Sequence, residues 1–268
     1  MTIEDVTDEF GMLAVQGPRS RQILAKLAPE VEGLSYFEHT DAKIGGAPVT
    51  ISRTGYTGDL GYEVRVTRDE ALGVLDAVID AGEGHGLRPF GEEALLMTRI
   101  EAGLVLINVE FSSSRFAYTD HDRITPKELG FGWMLKGVDD DDRPFIGRNS
   151  LRRELAEKTS RWATVGLVLD WADYDRVYNQ AGLIPPKDET PLDYESMLYD
   201  DSGERIGYAT SLMYSPVLQQ HIAMARVRPD LAAAGTRVNL ELTINHHYET
   251  VAAAVTKLPF FNPARKTA

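Results

Sequence analysis

The sequence predicts an α+β protein in which an antiparallel sheet with helices is followed by a C-terminal β-barrel. Three observations carry this. A glycine-rich run, Gly55-Tyr56-Thr57-Gly58-Asp59-Leu60-Gly61, joins two strands directly, so they pair antiparallel rather than through a crossover helix. Two helical patterns then follow one another without an intervening strand, against a doubly wound parallel sheet. After Thr159 the texture changes to short strands separated by Gly, Pro and Asp turns. The expected division is residues 1–158 for the α+β domain and 159–268 for the barrel.

The elements follow in order. Phe10 to Gln16 is a short apolar strand stopped by Gly17-Pro18, and Ser20 to Leu27 carries apolar residues at helical spacing. Val49 to Arg53 and Tyr62 to Thr67 flank the glycine run as a tight hairpin, with period-two alternation on the outgoing strand. Asp69 to Ala81 opens with acids and bears an apolar stripe, and Gly91 to Ala102 is a second helix. The pattern from Gly103 to Leu151 is irregular, and the acids Asp139 to Asp142 form a solvated turn without the alternating ligand spacing of a calcium loop. Asn149 to Lys158 is a short charged helix. The strands expected in the barrel are Ala163 to Leu169, Ser196 to Tyr199, Arg205 to Leu212, His221 to Val227, Val238 to Ile244 and Glu249 to Thr256.

Composition narrows the function. The 268 residues are 43% hydrophobic and 26% charged, ordinary for a globular protein. There is no cysteine, which excludes disulfides, thiolate nucleophiles and zinc-thiolate sites and fits a reducing cytoplasm. The acidic start and the lack of a long apolar run predict neither a secretory signal nor a membrane span. A formal charge of −13 opposes binding to nucleic acid, so a small ligand or a protein partner is expected. His246, His247 and Tyr248 cluster on a turn, but adjacent histidines diverge on a strand and make a poor metal site.

Five collinear segments resemble the glycine cleavage T-protein family of aminomethyltransferases and the related tetrahydrofolate-dependent demethylases. They are Met12-Leu13-Ala14-Val15-Gln16-Gly17-Pro18, Gly55 to Val64, Arg99-Ile100-Glu101-Ala102-Gly103-Leu104, Phe145-Ile146-Gly147-Arg148, and Ala209 to Val227. The resemblance implies domains arranged around a folate channel and a terminal barrel. It implies tetrahydrofolate as cofactor, with Glu63 accepting a bidentate pair from the aminopyrimidine edge of the pterin and Tyr56 lining the same pocket. Arg99 is either a further cofactor-binding cation or half of a structural ion pair with Glu101. The basic residues Arg265 and Lys266 could hold a folate glutamate tail or remain solvated and mobile.

The departures are also informative. Where the aminomethyltransferases carry an arginine-aspartate pair this chain has Leu95 and Leu96, and the tyrosine expected after the Glu-Ala-Gly motif is Ile107. A small methylated amine or ether is therefore the expected donor rather than an aminomethyl-lipoyl arm, with a methyl or methylene group passing to tetrahydrofolate. The family segment holding the catalytic acid precedes the stretch that matches Met12, so no catalytic residue is assigned within the chain. A second subunit is expected to carry that half and its acid. The competing expectation is a non-catalytic folate-binding protein or a structural subunit of a larger complex, such as an oxidase whose formaldehyde is captured on folate.

Overall fold

The computed structural model describes residues 2–139, 144–187, 190–192 and 194–268; Asp140 to Asp142 of the acidic run lie outside them. Within these the chain is mixed α+β, as expected, and forms two compact units, Met1–Ala102 with Phe261–Ala268, and Gly103–Phe260. Residues 103–158 thus belong to the same unit as the barrel, and the last eight residues to the first unit.

The first unit is built on four antiparallel strands, β1 (Phe10–Gln16), β2 (His39–Ile44), β3 (Ala47–Ser52) and β4 (Gly61–Thr67), in the order β1-β4-β3-β2. Tyr62, Val64 and Val66 of β4 alternate onto one face with Val15, Val49 and Ile51, and all are buried. Helix α1 (Ser20–Leu24) gives Leu24 to this core, and α2 (Ala71–Ala81) gives Val74 and Val78. These two residues stand four apart on one face of α2, whereas Leu72, Leu75 and Ile79 remain exposed. The opposite face of the sheet carries Phe10, Met12 and Ala14 of β1, Glu63 and Arg65 of β4, and Thr50 and Ser52 of β3, none of them buried. Helix α3 (Glu92–Glu101) ends the unit's main stretch. The hairpin is wider than expected: residues 53–60 separate β3 from β4, because the chain detours around the Gln16 side chain.

The second unit contains α4 (Arg148–Glu157), β5 (Ala163–Leu169), α5 (Trp171–Gln180) and the strands β6 (Ser196–Tyr199), β7 (Arg205–Ser215), β8 (Gln220–Val227), β9 (Arg237–Ile244) and β10 (His247–Thr256). The six strands close into an antiparallel barrel, β10-β5-β8-β7-β6-β9. Its interior is filled by Leu167, Leu198, Ala223, Leu240 and Val251 among others, and Tyr174 and Val177 of α5 pack onto the same cluster. Asn245 and His246 both have positive φ and turn β9 into β10, and His247 opens the outgoing strand. No helix among the described residues is long and apolar enough to cross a membrane.

Candidate functional site

The open face of the four-stranded sheet places Glu63 in its middle. Residue 63 lies opposite Ala14 on β1 and opposite Ser52 on β3. Its side chain is half-buried, and the Thr54 hydroxyl donates to Oε2. Thr54 Oγ1 in turn lies 2.8 Å from Ser52 Oγ and, with its own proton on Glu63, accepts from that hydroxyl. The Oε1 oxygen has no hydrogen-bond partner among the described residues, so the carboxylate is oriented by one oxygen and open at the other. Around it the face mixes hydroxyls with Ala14 and the exposed Met12, and Arg65 lies over the Phe10 ring at 4.8 Å.

Gln16 shapes the loop that leads into Glu63. Its amide donates to the carbonyls of Tyr62 at 3.0 Å and Thr54 at 3.3 Å, and its Oε1 accepts from Thr57 at 3.0 Å. A Cβ on Gly55 would lie 2.1 Å from the Gln16 amide oxygen, and one on Gly61 only 1.9 Å away. Two of the glycines therefore clear space for a side chain of the protein itself. The third, Gly58, has φ +74° and sits where a Cβ would be 2.5 Å from the Ala102 methyl. The loop is also pinned from its other side. Asp59 caps the Leu60 amide and forms a two-pronged ion pair with Arg265 at 2.6 and 2.7 Å. Arg265 is thus paired within the fold although its side chain stays exposed, and its neighbour Lys266 lends a backbone oxygen to the buried Arg53.

The structure places the other expected site residues unequally. Tyr56 is half-buried on the same loop as Thr54, before Gly58. Arg99 lies in the last turn of α3, one turn before the Ala102 against which Gly58 packs, and is only 1% exposed. Glu101 is likewise buried, at 3%. Leu95 borders the groove beside β1, and Ile107 is half exposed. Thr54, Ser52 and Gln16 were not singled out by residue type. Their position is the available signal: Ser52 ends β3 with Thr54 two residues beyond it, and Gln16 ends β1 just before Gly17-Pro18.

Comparison with known proteins shows the family. Residues 1–137, just over half of the chain, match the family model of the GCVT N-terminal domain, and residues 179–262 match the glycine cleavage T-protein C-terminal barrel domain. The chain belongs to the glycine cleavage T-protein family. It is 36% identical to a trimethylamine-oxide aldolase of Ruegeria pomeroyi over 98% of its own length and 30% of that protein. It is 33% identical to an aminomethyltransferase of Halothermothrix orenii and 35% identical to one of Streptomyces coelicolor, covering 95% and 97% of itself and 62% of each. The glycine cleavage system aminomethyltransferase T from Bartonella henselae has the same fold, with a TM-score of 0.72 at 24% identity over 94% of this chain and 60% of that one. This T-protein family chain therefore spans about three fifths of the length of the aminomethyltransferases it matches.

Proposed function

We propose that this T-protein family chain is the folate-binding part of a tetrahydrofolate-dependent one-carbon transferase, with Glu63 as the anchor for the pterin. The observation that supports it is the Glu63 carboxylate on an open sheet face, one oxygen held by Thr54 and the other available. A pterin offers two adjacent N–H donors on a flat ring, and a fixed carboxylate between hydroxyl and apolar neighbours is complementary to that edge. Tyr56 would form a wall of the same pocket, and Arg99 would act as a buried positive charge behind the loop. When bound, tetrahydrofolate would supply the nucleophilic nitrogen that takes up the one-carbon unit. The chain's own share is to bind, orient and exclude water.

The proposed donor is a small methylated amine. Leu95 and Leu96 stand where the resembled aminomethyltransferases carry a charged pair, and the Ruegeria pomeroyi relative is named for an N-methylated amine oxide. The proposal includes a second polypeptide that supplies the acid for the reacting nitrogen, where a carboxylate steadies developing positive charge. It has support in the uncovered sheet face that carries Glu63 beside exposed Met12 and Phe10.

Calorimetric titration of tetrahydrofolate into the full chain tests the anchor. Glu63→Gln keeps the size and removes the charge, and should cost about 2 to 4 kcal/mol, roughly 30-fold to 1000-fold in affinity. Unchanged affinity in a folded variant would remove Glu63 from the site. A parallel assay of methyl transfer from methylated amines and methyl ethers to tetrahydrofolate decides the donor class, and binding without transfer under every pairing would favour a non-catalytic folate carrier.

A further inference from the structure

The two edges of the sheet in the first unit are built differently. Edge strand β2 carries His39, Asp41 and Lys43, charges of the kind that keep an edge from pairing with another chain. Edge strand β1, Phe-Gly-Met-Leu-Ala-Val-Gln, carries none. It pairs with β4 on one side, and among the described residues no other backbone group bonds to it. Its free side opens into a groove of about 770 Å³ lined by Met12 and Val15 of the strand, Leu75 and Ile79 of α2, Phe90 and Leu95. Met12 is 60% exposed and Phe90 45%.

We propose that β1 is a docking edge on which an extended strand of a second, different polypeptide pairs, lengthening the sheet to five strands. This deepens, and rests on, the reading that a second polypeptide completes the folate site. An extended segment is the occupant that satisfies both features of the groove: its backbone meets the unpaired N–H and C=O groups of β1, and its alternate side chains enter the apolar walls. A helix laid in the groove would leave the edge unpaired. A second copy of this chain is disfavoured by a formal charge of −13 on each molecule, and by the acids Asp5, Asp8 and Glu9 just before the strand. Charge complementarity gives the partner strand its character. It is apolar at alternate positions, basic at the end beside Asp8 and Glu9, and acidic at the end beside Arg19, which follows β1 across Gly17-Pro18.

The test uses the full chain and, as probe, a separate polypeptide made from the part of the Halothermothrix orenii aminomethyltransferase that lies outside its match to this chain. Light scattering is expected to show a one-to-one complex, with hydrogen exchange slowed at Phe10–Gln16. Met12→Lys places a charge on the exposed edge and should weaken the complex about tenfold or more, whereas Met12→Leu should not. A complex without added protection at β1 overturns strand pairing and leaves the two-polypeptide reading standing. A homodimer protected at β1 shows a second copy as the occupant and overturns the proposal. Absence of a complex overturns it as well, and methyl transfer by the chain alone would also end the two-polypeptide reading.

Discussion

Gln16 holds the glycine loop more firmly than its half-buried side chain suggests. Its amide serves two carbonyls and one hydroxyl at once, and the Thr54 carbonyl it holds belongs to the residue whose hydroxyl orients Glu63. Gln16→Ala should therefore destabilise the chain by about 2 to 3 kcal/mol in urea unfolding, the cost of several part-buried polar groups losing their partners. Tetrahydrofolate affinity should fall as well, by less than for Glu63→Gln. Gly61→Ala drives a methyl onto the Gln16 amide and should cost more still. In the Gln16→Ala background the same change should be markedly cheaper, since the colliding group is gone, and a double-mutant cycle reads this as a coupling energy. Purely additive costs would show that Gly61 is required for another reason. The motif singled out Glu63 and Tyr56 as candidate site residues. It did not reveal that two of its glycines serve Gln16, because that contact joins residues far apart in sequence.

At the scale of elements, the barrel strands were legible nearly residue for residue, since they are short runs most of which end in Gly, Pro or Asp turns. Two elements were not. Strand β2, His-Thr-Asp-Ala-Lys-Ile, is an edge whose charges erase the apolar alternation. Helix α5 follows β5 after a single residue, Asp170, which caps it through the Asp173 amide, and although Trp171, Tyr174 and Tyr178 stand at helical spacing, they are aromatic types that favour strands. Asp173 also ties this helix to the barrel by accepting the Ala252 amide at 2.7 Å while pairing with Arg176. Burial pushes the Asp173 carboxyl up, but the Ala252 amide and Arg176 pull it further down, and it titrates below its ordinary value. A carboxyl lowered in the folded state adds stability above its unfolded pKa and loses that stability as pH falls through the folded one. Asp173→Asn should therefore lower stability by about 1 to 2 kcal/mol at pH 7, and the gap to wild type should close in acid, once the pH falls below the carboxyl's lowered value. Thermal melts at neutral pH and in acid check this, and a gap that persists in acid would refute the carboxylate's part.

At the scale of the molecule, sequence texture located the start of the barrel strands but not the division of the chain. The irregular stretch 103–151 lacks an apolar period, and buried carboxylates hold it to the barrel unit and to the helix α4 at its end. Glu110 accepts from the hydroxyls of Thr210 and Ser211, and Glu128 from the amides of Arg161 and Trp162. Glu154 accepts from Thr125 and Ser160. Polar tethers of this length leave no local pattern to read. The return of Phe261–Ala268 to the first unit is equally silent in sequence, though its physical basis is simple. Arg53, 3% exposed, has as acceptors the carbonyl of Leu34 and backbone oxygens of Lys266 and Ala268, while Arg265 supplies the counter-ion for Asp59. Deleting residues 261–268 strips a buried guanidinium of two acceptors and leaves Asp59 without its cation, at a cost of about 2 to 4 kcal/mol. That loss should fall on the first unit. Hydrogen exchange should quicken in β3, β4 and the 53–60 loop, with the six barrel strands unchanged. Equal loosening of both units would mean that the terminal residues support the whole chain rather than the sheet that carries Glu63.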